Sequence, residues 1–417
     1  MNIGFLVPVT LCASLSCQAG EYFFEPVFNS NERYESNLFM RQEPLQGNWI
    51  STLSPGVNFG LRHDNGELKS NFTWNQLFYN NQSDLNIDEQ LFNLNYQHTN
   101  ERLQWSLGGA YNNQSSLNTE ANTTGLLFTQ VMRKQLSLEP SITYSLDELN
   151  SLSLNYSYNK ATYEKNQNNI FLSDYDSHQV SAIFNHLYTE HDQLNAALSS
   201  SLYKTQIQNQ TTYNHVAQLG WQHSFSQQLV AYVSTGINYS QSKSQSTVAQ
   251  LPIGFTQQGI PVFFDPVTGS PTLQQQFETI STQRSNFGQV YSASIQKSFE
   301  TASVSLAGSQ NQMPTSQGLQ TQTQLSINTA YTINERWTSG LSTGYTKSEV
   351  TGQQNSQFNR TYYSVSPNIN WKWTPEINLG LSYTYRQQEF QGSAQPSLGN
   401  TVQLQFSYQP QINHQVK

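Results

Sequence analysis

The sequence predicts an all-β fold: a transmembrane antiparallel β-barrel of about eighteen strands, with sixteen as the lower count. Three observations predict it. Apolar and polar residues alternate with period two over many short segments. The links between those segments alternate between short and long. The composition is low in apolar (36%) and charged (11%) residues yet rich in aromatics (12%) across 417 residues.

The alternation is plain along the chain. Phe72, Trp74, Gln76 and Phe78 interleave with Asn71, Thr73, Asn75 and Leu77. Leu152, Leu154, Tyr156 and Tyr158 interleave with Ser151, Ser153, Asn155 and Ser157. Leu103 to Tyr111, Leu325 to Tyr331 and Val402 to Tyr408 repeat the pattern. A strand puts successive side chains on opposite faces, so one face of each segment is apolar and the other polar. The strands predicted this way are 22–33, 50–62, 67–79, 89–98, 103–113, 131–146, 151–163, 176–187, 193–205, 212–223, 229–241, 286–299, 302–310, 319–332, 337–347, 360–373, 377–386 and 400–408.

The links carry the second argument. Short ones fall at 63–66, 99–102, 147–150, 188–192, 224–228, 300–301, 333–336 and 374–376. Between them lie longer Asn-, Gln- and Ser-rich stretches such as 80–88, 114–124, 164–175, 349–359 and 387–399. Outer-membrane barrels have short periplasmic turns and longer outer loops, which places both ends of the barrel segment on the periplasmic side. Residues 242–285 form one very long link with apolar clusters at Leu251–Phe255 and Pro261–Pro266. Such a link is expected to fold into the lumen as a constriction or to cap the outer mouth, the alternative being a simple surface loop.

Composition fits a shell with lipid outside and water inside. Mean hydropathy is −0.59, because no compact apolar core is required. The net charge of −8 comes without a basic stripe, which argues against a nucleic-acid partner. Both cysteines, Cys12 and Cys17, lie in residues 1–19, which read as a signal peptide ending at Ala19, although its start carries no Lys or Arg. Neither cysteine sits in the order a lipoprotein needs. Residues 20–408 are then the barrel, and Gln409–Lys417 a polar periplasmic tail.

Aromatic residues of apolar parity gather near the short-turn ends: Tyr96, Tyr144, Trp221, Phe299, Tyr331, Trp337, Trp371 and Trp373. A second set, Phe78, Tyr158, Tyr239, Tyr345 and Tyr385, lies toward the loops. Two such belts are the girdles expected at the two faces of a bilayer. The opposite parity puts Lys69, Arg133, Glu139, Lys372 and Arg386 in the lumen as pore-lining candidates, few among many amides and hydroxyls. Lys160 and Lys204 have outward parity near the loops and suit anionic headgroups or lipopolysaccharide. No nucleophile elbow, His-based metal motif or phosphate loop is present, so no enzymatic activity, catalytic residue, metal or cofactor is expected. His98, His186 and His223 have outward parity but sit at turns.

Short motifs in the first hundred residues add a resemblance. Phe24-Glu25-Pro26 leads into Asn31-Glu32-Arg33-Tyr34-Glu35-Ser36-Asn37-Leu38, then Leu53-Ser54-Pro55-Gly56-Val57, then Phe78-Tyr79-Asn80-Asn81. This order resembles the outer-membrane barrel proteins associated with exopolysaccharide and PEP-CTERM systems. Glu35-Ser36-Asn37 departs from the family's pattern, in which the acidic residue directly precedes Asn. The resemblance implies a bacterial outer-membrane barrel linked to surface polysaccharide production or export, and transfers no catalytic residues. Lipid, lipopolysaccharide, the barrel-assembly machinery and polysaccharide export components are the expected partners. Strand count and polar lumen parity point to a porin-like channel for small polar solutes or an export outlet. The long apolar link points instead to a plugged scaffold barrel anchoring a cell-surface or exopolysaccharide assembly.

Overall fold

The computed structural model describes residues 20–410 except 44, 122, 128, 166–171, 207–208, 250–253, 256–260, 266–269, 275–276 and 352–355. The expected signal peptide (1–19) and most of the polar tail (411–417) lie outside the described residues.

Eighteen strands form one closed antiparallel barrel. In chain order they are β1 (Glu21–Glu35), β2 (Asn48–His63), β3 (Gly66–Tyr79), β4 (Ile87–Thr99), β5 (Leu103–Ser115), β6 (Met132–Ser145), β7 (Asn150–Tyr163), β8 (Tyr175–Leu187), β9 (Asp192–Thr205), β10 (Gln210–Ser226) and β11 (Leu229–Ala249). The short strands β12 (Gly254–Phe255), β13 (Pro261–Asp265) and β14 (Ser270–Thr272) make a separate small sheet. The barrel resumes with β15 (Phe277–Ser298), β16 (Ala302–Thr315), β17 (Gly318–Thr332), β18 (Trp337–Val350), β19 (Arg360–Lys372), β20 (Ile377–Phe390) and β21 (Ser397–Tyr408). Each barrel strand pairs with the next, and β1 pairs with β21 from Phe28↔Tyr408 to Glu35↔Thr401. Closure leaves no free edge around the ring, as a sheet in lipid requires.

The short turns are set by local side-chain chemistry. Asp147 Oδ1 accepts from the amides of Leu149 and Asn150, each at 2.8 Å. Asn334 Oδ1 accepts from Arg336 and Trp337 amides at 2.9 and 3.0 Å. Thr189 and Thr374 do the same with their hydroxyls. Asx and ST turns of this kind reverse the chain within a few residues. Three strand prolines interrupt a ladder where they fall. Pairing of β2 with β3 skips Ser54 and Pro55, that of β6 with β7 skips Glu139 and Pro140, and that of β19 with β20 skips Ser366 and Pro367. Proline has no N–H to donate, so one ladder bond is lost at each.

The outward face is apolar and uncovered. Leu198, Leu219 and Ile237 are 64%, 68% and 63% exposed at mid-strand. A chain folded for water would bury these side chains; here they form a continuous belt around the barrel. Ring pairs bound it. Toward the short turns, Trp371 stacks between Trp337 (5.4 Å) and Trp373 (6.1 Å), and Tyr96 lies 4.8 Å from Trp105. Toward the loops, Tyr34 meets Trp49 (5.2 Å), Tyr239 meets Phe287 (4.7 Å) and Tyr345 meets Tyr363 (5.0 Å).

The structure departs from the sequence reading in two places. The link at 242–285 is shorter than its sequence suggests, because β11 and β15 stay paired from Leu229↔Lys297 up to Ala249↔Phe277. β10 last pairs with β11 at Thr211↔Lys243, so Ser244–Ala249 has only β15 beside it and the hairpin rises beyond its neighbours. The β16–β17 link is a turn of Ser316 and Gln317, which breaks the long–short alternation. Its tip bends into the barrel, so pairing of β15 with β16 stops at Tyr291↔Gln310.

Candidate functional site

The lumen has two zones. Toward the short turns it is an open, polar space; toward the loops it is filled. Among the described residues, three inward-folded parts do most of the filling, residues 36–47 between β1 and β2, residues 116–131 between β5 and β6, and the β16–β17 tip, with Leu172 of the β7–β8 link packed beside them. The apolar part of the link at 242–285 lies partly outside the described residues, and the link's described ends pair as the β11–β15 hairpin.

The first part is tied down by Asn37, which is 1% exposed. Its Nδ2 donates to the carbonyls of Arg41 (2.7 Å) and Leu398 (2.8 Å), and its Oδ1 accepts from the Arg41 amide (3.0 Å). This tight turn carries Met40 at φ 46, a left-handed conformation costly for a side chain with a Cβ. It delivers Leu38, Phe39 and Met40 onto Ile50, Leu77, Tyr79, Leu117 and Leu127. Ile50, Leu77 and Tyr79 have lumen parity, so this is an apolar core inside a polar pore.

The second part begins with a single turn, α1 (Ser116–Thr119), capped by the Ser115 hydroxyl accepting from the Leu117 amide. Buried Glu89 on β4 holds that turn. Its Oε1 accepts from the Ser115 amide (2.9 Å) and from Asn118 Nδ2 (2.7 Å), and its Oε2 from Asn75 Nδ2 (3.3 Å). Glu120 is 1% exposed and accepts from the Tyr163 hydroxyl (2.6 Å), the Thr123 hydroxyl (2.9 Å) and the Thr124 hydroxyl. Arg133 lies 3.7 Å from Glu120 and donates to the hydroxyls of Tyr163 (3.1 Å) and Tyr175 (3.0 Å).

Across the barrel, Arg360 on β19 donates to the carbonyls of Thr123 (3.1 Å) and Ala121 (2.7 Å), while Gln388 on β20 donates to Gly125 O (3.2 Å). Gly125 has φ +73, and a Cβ there would stand 2.4 Å from both Arg360 Nε and Gln388 Oε1. Only glycine lets the segment lie this close to the far wall. Glu35 completes the network between Arg33 and Arg386, each at 3.4 Å. Buried charges persist only when paired or hydrogen-bonded: Glu35 and Glu120 meet the guanidinium groups of Arg33, Arg386 and Arg133, while Glu89 is held by amides and Arg360 by backbone carbonyls.

The third part leans across the pore. The Tyr203 hydroxyl on β9 donates to Thr315 O at 2.6 Å. Thr315, Ser316, Gln317 and Leu319 are buried, and Gly318 turns the tip at φ +112.

The sequence-predicted lumen residues divide between the zones. Arg133 and Arg386 belong to the filled zone and face its carboxylates. Lys69 and Glu139 line a cavity of about 540 Å³ in the open zone. Lys372 closes β19 at the short-turn rim with Asn378 as its inward partner. Outside, Lys160 and Lys204 flank Asp176 in register. His186 and His223 hydrogen-bond Asn150 (2.9 Å) and Asp192 (2.7 Å), and His98 bonds Asn100 (3.1 Å). Glu89, Glu120 and Arg360 escaped sequence reasoning, because parity shows only that a charge faces inward and not what it meets. Glu35 and Asn37 did carry a signal: both belong to the Tyr34–Asn37 motif.

No protein-family model and no curated protein matches the chain. Solved barrels are similar in shape. They include the ferric-catecholate import receptor Fiu from E. coli K12, at 8% identity and TM-score 0.47, with 92% of this chain and 81% of that chain covered. OccK3 (OpdO) of Pseudomonas aeruginosa is at 8% identity and TM-score 0.43, with coverage of 93% and 95%. OccAB2 of Acinetobacter baumannii is at 10% identity and TM-score 0.43, with coverage of 93% and 98%.

Proposed function

We propose that the chain is a porin-like channel of the bacterial outer membrane, closed over the loop-side part of its lumen in this state, which passes small polar solutes when the inward segments move. The observation that carries this reading is the pairing of an uncovered apolar belt outside with a wet, amide-lined lumen inside. The closure joins two apolar clusters to a network of charges and hydrogen bonds. Such a network opens to water at lower cost than a hydrophobic core, because water replaces its partners.

The role in surface polysaccharide export, drawn from the motifs around Asn37 and Ser54, is a refinement of the same channel. The buried charged side chains that hold residues 116–131, Glu89, Arg133 and Arg360, support a second reading, in which the barrel stays plugged and serves as a scaffold for a surface assembly. Swelling of liposomes containing the purified protein separates them. A channel admits arabinose and glucose faster than protein-free liposomes do, and faster still once residues 116–131 are replaced by a short Gly-Ser turn. A scaffold gives no swelling before the replacement. No swelling after it overturns the channel.

A further inference from the structure

The open zone of the lumen holds a surface whose composition is more specific than a wet wall needs. Register places two adjacent rows of inward side chains across β1 to β6. One row runs Glu25, Asn58, Asn71, Asn93, Ala110, Ser137, and the next Phe23, Gly60, Lys69, Asn95, Gly108, Glu139. All of them but Gly60 line the cavity of about 540 Å³. Four carboxamides stand side by side, and Asn71 Nδ2 donates to Asn58 Oδ1 at 2.7 Å. Small residues on β5 recess the wall beside them, where a Cβ on Gly108 would meet nothing closer than 3.5 Å.

Phe23 is the aromatic of this surface. Its ring lies over the backbone of Gly60, where a Cβ would stand 2.6 Å from it, so glycine at 60 is what seats the ring against the wall. The charge is one-sided. Lys69 and Arg62 are both taken up by Glu67 at 2.6 Å. On the inward faces of this region Glu21, Glu25, Glu67 and Glu139 stand against Arg62 and Lys69, four negative charges to two positive.

We propose that this surface is a binding site for neutral sugar oligomers. A carboxamide both donates and accepts, which matches a hydroxyl that does the same. A row of them at strand spacing, about 4.8 Å per step, meets successive hydroxyls along a chain of hexoses. The Phe23 ring gives the apolar C–H face of one sugar ring something to lie on. The surplus of carboxylates disfavours acidic sugars, since like charges in a confined space repel. The site rests on the channel reading only in that it faces the lumen.

Titration calorimetry on the full-length protein in detergent tests it, with maltohexaose, cellohexaose and chitohexaose as neutral probes and a galacturonate hexamer as the acidic one. The site predicts saturable binding of at least one neutral hexamer and at least tenfold weaker binding of the galacturonate hexamer. Phe23→Ala and the double variant Asn71→Leu/Asn93→Leu each weaken the neutral hexamer at least tenfold, with heat-modifiable gel mobility showing that both variants still form barrels. Failure of all three neutral probes overturns the site, as does affinity unchanged in both variants or equal affinity for the acidic hexamer. Binding at equilibrium needs no flux. A protein that swells liposomes without binding therefore loses only this site, and one that binds without conducting loses only the channel.

Discussion

At the scale of single residues, the filled zone depends on a few buried polar side chains with several partners each. Asn37 makes three hydrogen bonds in one turn, one of them to Leu398 at the other end of the sequence. Each such bond contributes about 1 kcal/mol net, and a buried carbonyl left without a partner costs more. Asn37→Ala is therefore expected to release residues 36–47 from the wall. Hydrogen exchange at the Arg41 amide, whose acceptor is removed, should rise at least tenfold, with exchange in the middle of β9 unchanged. Equal protection at Arg41 in the variant would mean that the apolar contacts of Leu38 and Met40 suffice. Sequence reading reached Asn37 as part of a motif without its purpose. The motif places an acid and an amide where the chain leaves the wall and turns inward.

At the scale of elements, the strands and short turns were legible and the inward folds were not. Strand parity is local, and so are the Asx turns that end at Asn150 and Trp337; a window of a dozen residues contains all that decides them. What brings residues 116–131 inward is distant: Arg360 reaches Ala121 across 239 positions. Asn-, Ser- and Thr-rich loops have the same composition whether they face the outer medium or a wet lumen. Much of the apolar cluster at 251–266 lies outside the described residues, and its Phe263 is buried opposite Thr272 in the small β12–β14 sheet. The β16–β17 tip gives this scale its prediction. Residues 20–417 contain no cysteine, so Ser316→Cys provides a single label site. Tyr203→Phe removes the bond to Thr315 O, worth about 1 kcal/mol and about fivefold in the population of the displaced tip. Maleimide labelling of Cys introduced at 316 should accelerate by about that factor. Labelling at the same rate would mean that Leu319 packing alone positions the tip.

At the scale of the whole molecule, the fold divides every strand into a face for lipid and a face for water, and neighbouring residues should respond oppositely to charge. Leu198 and Ser199 are adjacent near the middle of β9, one outward and one inward. Leu198→Arg should cost about 2–4 kcal/mol in guanidinium unfolding from lipid vesicles, and Ser199→Arg less than about 1 kcal/mol. Equal costs would argue against lipid on the outer face.

The central claim is a lipid-embedded barrel closed by its own inward segments, and single-channel recording in a planar bilayer tests it most directly. The intact protein should flicker at low conductance, and replacing residues 116–131 with a short turn should give stable ohmic steps. Stable, full-sized steps from the intact protein would contradict the closure, because the Glu120, Arg133 and Arg360 contacts would then leave the pore open.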